Sequence, residues 1–249
     1  MSHEDTLGKD IPYDEVEVDD DESVNFAVRL DNASRTYFIG KRQIDALKNV
    51  TLEIRPGDFV AVSGHSGSGK TTLLNVIGAI DYATSGRVYV MDVPIGDYDE
   101  TFRATFRLAN TGFIFQSYNL VSTLTALENV MFPMQLTDRP LKDLEKESLD
   151  LLARVKLDER ADHLPWQLSS GEQQRVAIAR AMANDPPIIL ADEPTANLDA
   201  VSAEMVRELL RELHGTGKAV ITMTHDENLV STKGARTFTM ENGVLSENV

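Results

Sequence analysis

The sequence of 249 residues contains no cysteine, a single tryptophan and far fewer bases than acids. Without cysteine it can form neither disulfides nor cysteine-based zinc sites. Its 24 lysines and arginines stand against 40 aspartates and glutamates, so the formal net charge is −16. This deficit of bases argues against a nucleic-acid groove and against a basic patch for anionic lipid, because both need clustered Lys and Arg. No apolar run approaches the roughly 20 residues that span a bilayer, so direct insertion into lipid is not expected.

Most of the excess negative charge lies at the N-terminus. Residues 1–22 contain ten acids and a single base, Lys9, which gives −9, whereas the other 227 residues carry −7. Such a segment repels itself and has few apolar residues to bury, so residues 1–23 are predicted to form a disordered acidic tail. It also lacks the apolar segment of a secretory signal. A solubilising role is the simplest interpretation, and a docking or autoinhibitory role is the alternative.

From residue 24 to residue 249, hydrophobic patterning predicts strands that alternate with helices. Strands are predicted at residues 26–30, 37–39, 50–54, 59–62, 88–91, 188–191, 219–222, 237–240 and 244–246. Helices are predicted at residues 71–80 and 201–214 and over most of residues 117–183. This order is typical of an α/β fold with a parallel sheet covered on both faces, here with a helical insertion at 117–183.

Two local signals mark helix starts inside the predicted insertion. Thr125 and Glu128 have the spacing of a capping box, in which each side chain binds a free amide of the first turn. Pro140 is predicted at the first position of a helix. The apolar face of that helix is predicted to comprise Leu141, Leu144, Leu151, Leu152 and Val155.

A glycine-rich loop follows the apolar strand at residues 59–62 and matches the pattern G-x-x-x-x-G-K-[ST]. Its glycines let backbone amides approach the phosphates of a nucleotide, and the following helix N-terminus favours the same anion. Lys70 is expected to reach the β- and γ-phosphates, and the Thr71 hydroxyl to bind Mg²⁺. The predicted phosphate-binding set is Gly64, His65, Ser66, Gly67, Ser68, Gly69, Lys70, Thr71 and Thr72.

A second apolar strand, at residues 188–191, ends in two carboxylates. In α/β sheets, ligands bind at the carboxyl ends of the strands, so Asp192 is predicted to hold Mg²⁺ through water. Glu193 is next in the chain and can polarise an attacking water molecule. Two acids that merely end a strand are the alternative, which the phosphate loop upstream disfavours.

A third motif, at residues 168–175, has the sequence Leu-Ser-Ser-Gly-Glu-Gln-Gln-Arg and begins 24 residues before Asp192. It resembles the LSGGQ signature of the ATP-binding cassette (ABC) ATPases, and the resemblance covers roughly residues 25–245. The resemblance implies an α/β fold of the P-loop NTPase class. Its RecA-like core would carry an N-terminal antiparallel β-subdomain and an inserted helical subdomain. Two residues depart from the usual signature: Ser170 replaces a glycine and Glu172 a glutamine. Serine is small and Glu172 suits the start of a helix, so function is expected to survive both changes.

The resemblance also implies roles for residues outside the loop. Tyr37 resembles the aromatic residue that stacks on adenine, and Gln116 the glutamine that links Mg²⁺ and water to the helical subdomain. His225 resembles the histidine that touches the γ-phosphate, so Glu193, His225 and Gln116 form the implied catalytic set. Metal binding is implied for Thr71, Gln116 and Asp192. In the family, two copies lie head to tail around two MgATP, and the signature and D-loop of one copy complete the site of the other; the residues concerned here are Ser169, Ser170, Gly171, Glu172 and Asp199.

Further details are similar to the cassettes of macrolide exporters and lipoprotein-release complexes. These details are the segments at residues 115–120, 124–130, 191–199 and 224–226. The resemblance implies an ATPase at the cytoplasmic face of the cell membrane, held there by a separate integral-membrane permease that it drives. A cassette that transmits force to a cell-wall hydrolase or sensor and moves no substrate is the alternative. A DNA-repair or chromosome ATPase is disfavoured, because those proteins carry long coiled-coil or zinc insertions.

Overall fold

The computed structural model describes residues 25–248, so the predicted acidic tail at residues 1–23 lies outside the described residues. Four strands form an antiparallel sheet in the order β2-β1-β4-β5. They are β1 (Val28–Ile39), β2 (Arg42–Ile54), β4 (Ser85–Val90) and β5 (Val93–Pro94). The two short runs predicted within residues 26–39 are thus one strand of 12 residues, whose pairing with β2 shifts register near Ala33. This sheet is the antiparallel β-subdomain that the resemblance implied.

Within residues 25–248, the second sheet has six strands in the order β10-β9-β3-β8-β7-β6, and its one antiparallel pair is β9–β10. The strands are β3 (Phe59–Ser63), β6 (Thr111–Ile114), β7 (Ile188–Asp192), β8 (Ala219–Met223), β9 (Arg236–Glu241) and β10 (Val244–Glu247). The last two strands form an antiparallel hairpin, in which Asn242 and Gly243 both have positive φ, as a type I′ two-residue turn requires. The short strand β6 was not predicted from the sequence.

Seven helices connect the described strands: α1 (Lys70–Ile77), α2 (Glu100–Asn110), α3 (Ala126–Met131), α4 (Leu141–Arg154), α5 (Ser170–Ala181), α6 (Ala200–Gly215) and α7 (Glu227–Val230). Helices α3, α4 and α5 lie between β6 and β7, within the predicted helical segment. The capping box at Thr125 and Glu128 is present. Pro140 occupies the N-cap of α4 and not the first helical position, and Leu141 is 65% exposed, so these two predictions are wrong. Leu144, Leu152 and Val155 are buried, as predicted.

The parallel sheet is covered on both faces, as predicted, because its strands alternate between two apolar clusters. In β7, Ile188 and Leu190 join the cluster that includes α1 and the antiparallel sheet, whereas Ile189 and Ala191 join the one that includes α5 and α6. All four side chains are fully buried, which explains why β7 is a continuous apolar run. Among the helices of residues 25–248, none is both long and apolar enough to cross a membrane.

The direction of the strands decides where the functional loops meet. Strands β3, β6, β7 and β8 run parallel, so their carboxyl ends lie at one edge of the sheet. The phosphate loop follows β3, Gln116 follows β6, Asp192 and Glu193 end β7, and His225 follows β8. The fold therefore brings four distant chain segments to one edge, where α/β proteins bind ligands.

Candidate active site

A cleft of about 1140 Å³ opens at this edge of the sheet. Most of the residues predicted to bind nucleotide and metal line it: residues 66–72, Tyr37, Gln116, Asp192, Glu193 and His225. Strand β2, which pairs with β1 at Tyr37, also contributes to the lining, as does the segment that follows Glu193. The structure therefore unites residues that lie up to 188 positions apart in the sequence.

Glycine is required in the phosphate loop by both conformation and space. Gly64 has φ 145° and Gly69 has φ 114°, which side-chain-bearing residues rarely adopt. A Cβ at Gly64 would lie 2.2 Å from the Met240 carbonyl oxygen, and one at Gly69 2.4 Å from that of Ala46. The loop is thus pressed against β9 and β2. No side chain within residues 25–248 caps the start of α1, so its first amides can bind an anion.

Lys70 is almost completely buried beneath this loop. Its Nζ donates hydrogen bonds to the carbonyl oxygens of Gly64 and His65 and lies 3.9 Å from Glu193 Oε1. The hydroxyl of Ser68 is also buried and has no hydrogen-bond partner among the described residues. A buried ammonium group and an unpaired hydroxyl beside uncapped amides fit a bound polyphosphate, which would accept hydrogen bonds from all three.

The donor set for a cation lies next to the phosphate loop. The Thr71 hydroxyl donates a hydrogen bond to Asp192 Oδ2 at 2.9 Å. Gln116 lines the same cleft as these two residues. Burial raises the pKa of Asp192, although the Thr71 hydrogen bond and the charge of Lys70 oppose this effect. Hydroxyl, carboxylate and amide oxygens are the ligands that Mg²⁺ prefers, and the cation would neutralise a carboxylate that burial otherwise disfavours.

Glu193 and His225 contact each other across the ends of β7 and β8. The backbone amide of His225 donates to Glu193 Oε2 at 3.2 Å, and His225 Nε2 lies 3.4 Å from Glu193 Oε1. Glu193 itself has φ 44°, an uncommon conformation that its amide hydrogen bond to Met223 O helps to hold. The carboxylate that could activate water is therefore fixed beside the lysine and histidine expected to contact phosphate.

Comparison with known proteins agrees with this geometry. A protein-family model described as ABC transporter matches residues 47–196, more than half of the chain. This chain belongs to the ABC transporter family. The uncharacterized ABC transporter ATP-binding protein MJ0796 of Methanocaldococcus jannaschii is 46% identical, over 87% of this chain and 94% of its own length. The dimeric structure of MJ0796 in a post-hydrolysis state with ADP and Pi has a TM-score of 0.83 and 42% identity, covering 89% of this chain and 97% of that one.

Two further relatives carry more specific names. The lipoprotein-releasing system ATP-binding protein LolD of Paramagnetospirillum magneticum is 42% identical, over 90% of this chain and 99% of its own length. The macrolide export ATP-binding/permease protein MacB of Brucella melitensis is 46% identical over 80% of this chain, a match that covers 31% of MacB. The P-loop α/β fold and the predicted ATPase class are confirmed, and the nucleotide of this cassette is ATP.

The signature residues 169–172 and Asp199 do not line the cleft of their own chain, although Leu198 and Ala200 on either side of Asp199 do. Ser169 caps α5: its hydroxyl accepts from the Glu172 amide at 3.3 Å, and Glu172 Oε2 accepts from the Ser169 amide at 2.8 Å. The latter hydrogen bond is the main reason why the pKa of Glu172 is lowered. Asp199 caps α6, and its hydrogen bond from the Ser202 hydroxyl lowers its pKa. Both helix starts lie side by side, because Gly171 packs against Ser202.

One polar network in the cassette had no counterpart in the sequence predictions. Asp226 Oδ2 accepts hydrogen bonds from the Thr195 hydroxyl at 2.9 Å and from Arg207 Nε at 2.8 Å. Burial would raise the pKa of Asp226, but these two partners and the Asn228 amide outweigh it and lower the pKa. The network joins the segments after Glu193 and β8 to helix α6. No spacing rule links these residues, so only the folded chain could show their association.

Proposed function

We propose that two copies of this cassette bind head to tail around two MgATP and drive a separate membrane permease. The observation that carries the dimer is the division of the site within one chain. The cleft is lined by the phosphate loop with Lys70 and by Asp192 and Glu193, whereas the signature residues and Asp199 are not among its lining residues. A second copy related by twofold symmetry would place each signature opposite the other copy's cleft. The relative MJ0796, described as dimeric, supports this arrangement.

Within the proposed site, each side chain has a role that follows from its position. The phosphate-loop amides and Lys70 would bind the triphosphate, and Tyr37 would stack on the base. Mg²⁺, when bound by Thr71, Asp192 and Gln116, supplies charge neutralisation at the β- and γ-phosphates. Glu193 would accept a proton from the attacking water, and His225 would contact the γ-phosphate. The backbone amide of His225 already holds the Glu193 carboxylate in the cassette.

The permease proposal rests on an apolar groove of about 620 Å³ beside β6. Phe132 and Leu136 line it and are 47% and 65% exposed, so the groove presents apolar surface of the kind that a partner protein covers. The groove includes Phe115, the residue before Gln116, so a permease segment seated there would touch the chain that enters the ATP site. The names of LolD and MacB support a permease of the lipoprotein-release or macrolide-export type, with lipoprotein, peptide or drug extrusion as the transport task. The cassette would then be peripheral, at the cytoplasmic face of the membrane.

Arg180 provides a path from this groove to the signature helix. It lies on α5, lines the groove, and donates to the carbonyl oxygens of Tyr118 at 2.8 Å and Asn119 at 2.5 Å. Burial lowers the pKa of Arg180, in keeping with a guanidinium largely enclosed by this segment. A displacement of the segment after Gln116 would therefore be transmitted to α5, whose N-terminus carries the signature.

The Glu193→Gln variant tests the dimer and the water-activating role together. It keeps the shape of the side chain but removes the base, so ATP should still bind while turnover falls to background. Size-exclusion chromatography with light scattering should then show an ATP-dependent dimer. Glu212→Gln, which removes a surface carboxylate paired with Arg154, is the matched control and should hydrolyse ATP like the wild type. Wild-type turnover in Glu193→Gln would contradict the assignment of the base, and a monomer with ATP bound would contradict the dimer.

The permease is tested by purification from the native membrane. A tagged cassette should retain an integral-membrane subunit, and Phe132→Asp or Leu136→Asp should release it while leaving ATP binding intact. Retention of the same subunit by both variants would show that the groove is not the docking surface. Recovery of a cell-wall hydrolase complex without transport activity would contradict the export role.

A further inference from the structure

Four side chains form a closed cluster beside the Tyr37 end of the cleft. Tyr37 and Arg35 lie two residues apart on β1 and so project from the same face of the strand. Asp81 and Tyr82 follow the last turn of α1. The Tyr37 hydroxyl donates to Asp81 Oδ2 at 2.5 Å, and the Tyr82 amide donates to Asp81 Oδ1 at 2.8 Å. The phenol of Tyr37 is therefore bound to the segment that follows the phosphate-loop helix.

Arg35 completes the cluster through charge and stacking. Its Nε donates to Asp81 Oδ2 at 3.0 Å and its Nη2 lies 2.7 Å from Asp81 Oδ1, which is a bidentate ion pair. The guanidinium carbon lies 4.5 Å from the centre of the Tyr37 ring and 4.2 Å from that of Tyr82. The side chains of Arg35 and Asp81 are only 11% and 16% exposed. Solvent screens such a pair little, so it can hold the ring firmly.

An aromatic platform binds a base best when its ring does not have to be ordered at the moment of binding. Fixing a free side chain costs conformational entropy, and a ring that is already fixed avoids that loss. Here Arg35 covers one face of Tyr37, and Asp81 holds the phenol, while the residue still lines the ATP cleft. Asp81 also follows α1, whose N-terminus forms the phosphate site. The anchor thus sets the position of the ring relative to that site.

From this geometry we propose that Arg35 and Asp81 are positioning residues that preorganise Tyr37 as the platform for the adenine base. They raise the affinity for ATP through the base alone, and so set how strongly the site prefers a nucleotide to a bare polyphosphate. The proposal deepens the role of Tyr37 under the proposed function and rests on it. A purely structural cluster would instead affect every ligand of the cleft equally, since it would act through the fold as a whole.

Titration calorimetry with two probes, MgATP and magnesium tripolyphosphate, separates these cases. Asp81→Asn and Tyr37→Phe should each weaken MgATP binding by about three- to tenfold. A loss of this size corresponds to part of the binding free energy that the stacking of one base contributes. Tripolyphosphate affinity should stay within about twofold of the wild type, because the phosphate loop is untouched. Tyr37→Phe keeps the ring and its packing, so it reports on the anchor even if Asp81→Asn destabilises the protein. Glu212→Gln is the control for loss of a carboxylate paired with arginine.

The same measurements in a Tyr37→Ala background complete the test. With the ring removed, Asp81→Asn should cause no further loss of ATP affinity, because the anchor has nothing left to position. Equal weakening of both probes by Asp81→Asn and Tyr37→Phe, or additive losses in the double variant, would overturn the proposal. Unchanged ATP affinity in both single variants would also overturn it. If Lys70→Ala abolished ATP binding in the same experiment, the ATP site itself would still be supported. If Lys70→Ala also left ATP binding unchanged, the proposed function would fail.

Discussion

Replacing Gly171 by alanine should destabilise the fold, although it lies in the first turn of a helix where alanine is normally favourable. An added Cβ would lie 2.3 Å from Ser202 Oγ and 2.7 Å from Ser202 Cβ. The hydroxyl could rotate away, but the Ser202 Cβ is fixed to α6, so the two helices must separate. Overpacking of this kind costs about 1–3 kcal/mol. The higher helix propensity of alanine offsets about 0.5–1 kcal/mol of that cost.

A net loss of about 1.5 kcal/mol corresponds to a decrease in Tm of about 3–6 °C for a domain of this size. Calorimetry on the ligand-free cassette measures it directly. The rescue variant is Ser202→Gly, which removes the opposing Cβ while the amide of residue 202 keeps its 3.0 Å hydrogen bond to Asp199. In that background, Gly171→Ala should no longer lower the Tm, so the two changes should be coupled by about 1–2 kcal/mol.

Steady-state ATPase activity then separates packing from contact with a second cassette. If glycine is needed at position 171 only because Ser202 occupies the space of a Cβ, the double variant should recover both stability and turnover. If the glycine also approaches the partner's phosphate, the double variant should be stable but slow. A Gly171→Ala variant that melts at the wild-type temperature, or losses that simply add in the double variant, would refute the steric reasoning.

Two more substitutions probe the charges of the cleft. Because burial raises the pKa of Asp192, its ionised form opposes folding, so ligand-free Asp192→Asn should melt above the wild type at neutral pH. The difference in Tm between the variant and the wild type should reach its full size above the raised pKa of Asp192 and vanish below the ordinary value of 3.8. The variant should also lose the stabilisation that MgATP gives the wild type. A variant Tm below that of the wild type at neutral pH would contradict this reasoning. Asp226→Asn removes one of the two carboxylates paired with Arg207, at the residue that follows His225. If Asp226 helps to hold His225 in place, kcat should fall with little change in KM, and a change in KM alone would contradict that role.

Continuous motifs of the site could be predicted from the sequence because their physical requirements are local. A phosphate loop needs glycines, one lysine and one hydroxyl at fixed spacing between a strand and a helix, and the chain from Gly64 to Thr71 supplies all of these. Asp192 followed from the same logic, since a carboxylate that ends a buried strand must reach the ligand edge of the sheet. The periodicity of the apolar residues likewise sufficed for the parallel sheet and its two covered faces.

Interactions between distant segments could not be predicted in this way. The anchor from Tyr37 to Asp81 spans 44 residues, and the bond from Thr195 to Asp226 spans 31. Neither pair has a characteristic spacing, and each residue by itself is common in loops and strands. The strand β6 also escaped prediction, because its four residues include Gly112, which suggests a loop in a single sequence. In the fold this glycine is needed, since a Cβ would lie 2.1 Å from the Ala181 carbonyl oxygen.

The two unusual residues of the signature illustrate how packing decides which positions can vary. Ser170 is exposed at the first position of α5 and has a right-handed helical backbone, so a side chain is accommodated there without backbone strain. Glu172 replaces a glutamine but completes the capping box with Ser169, where its negative charge also suits the helix N-terminus. At Gly171, between these two residues, Ser202 of α6 occupies the space that a side chain would need. The signature therefore departs from its usual form where the helix start has room, and keeps glycine at the one position where the packing of α5 against α6 excludes a side chain.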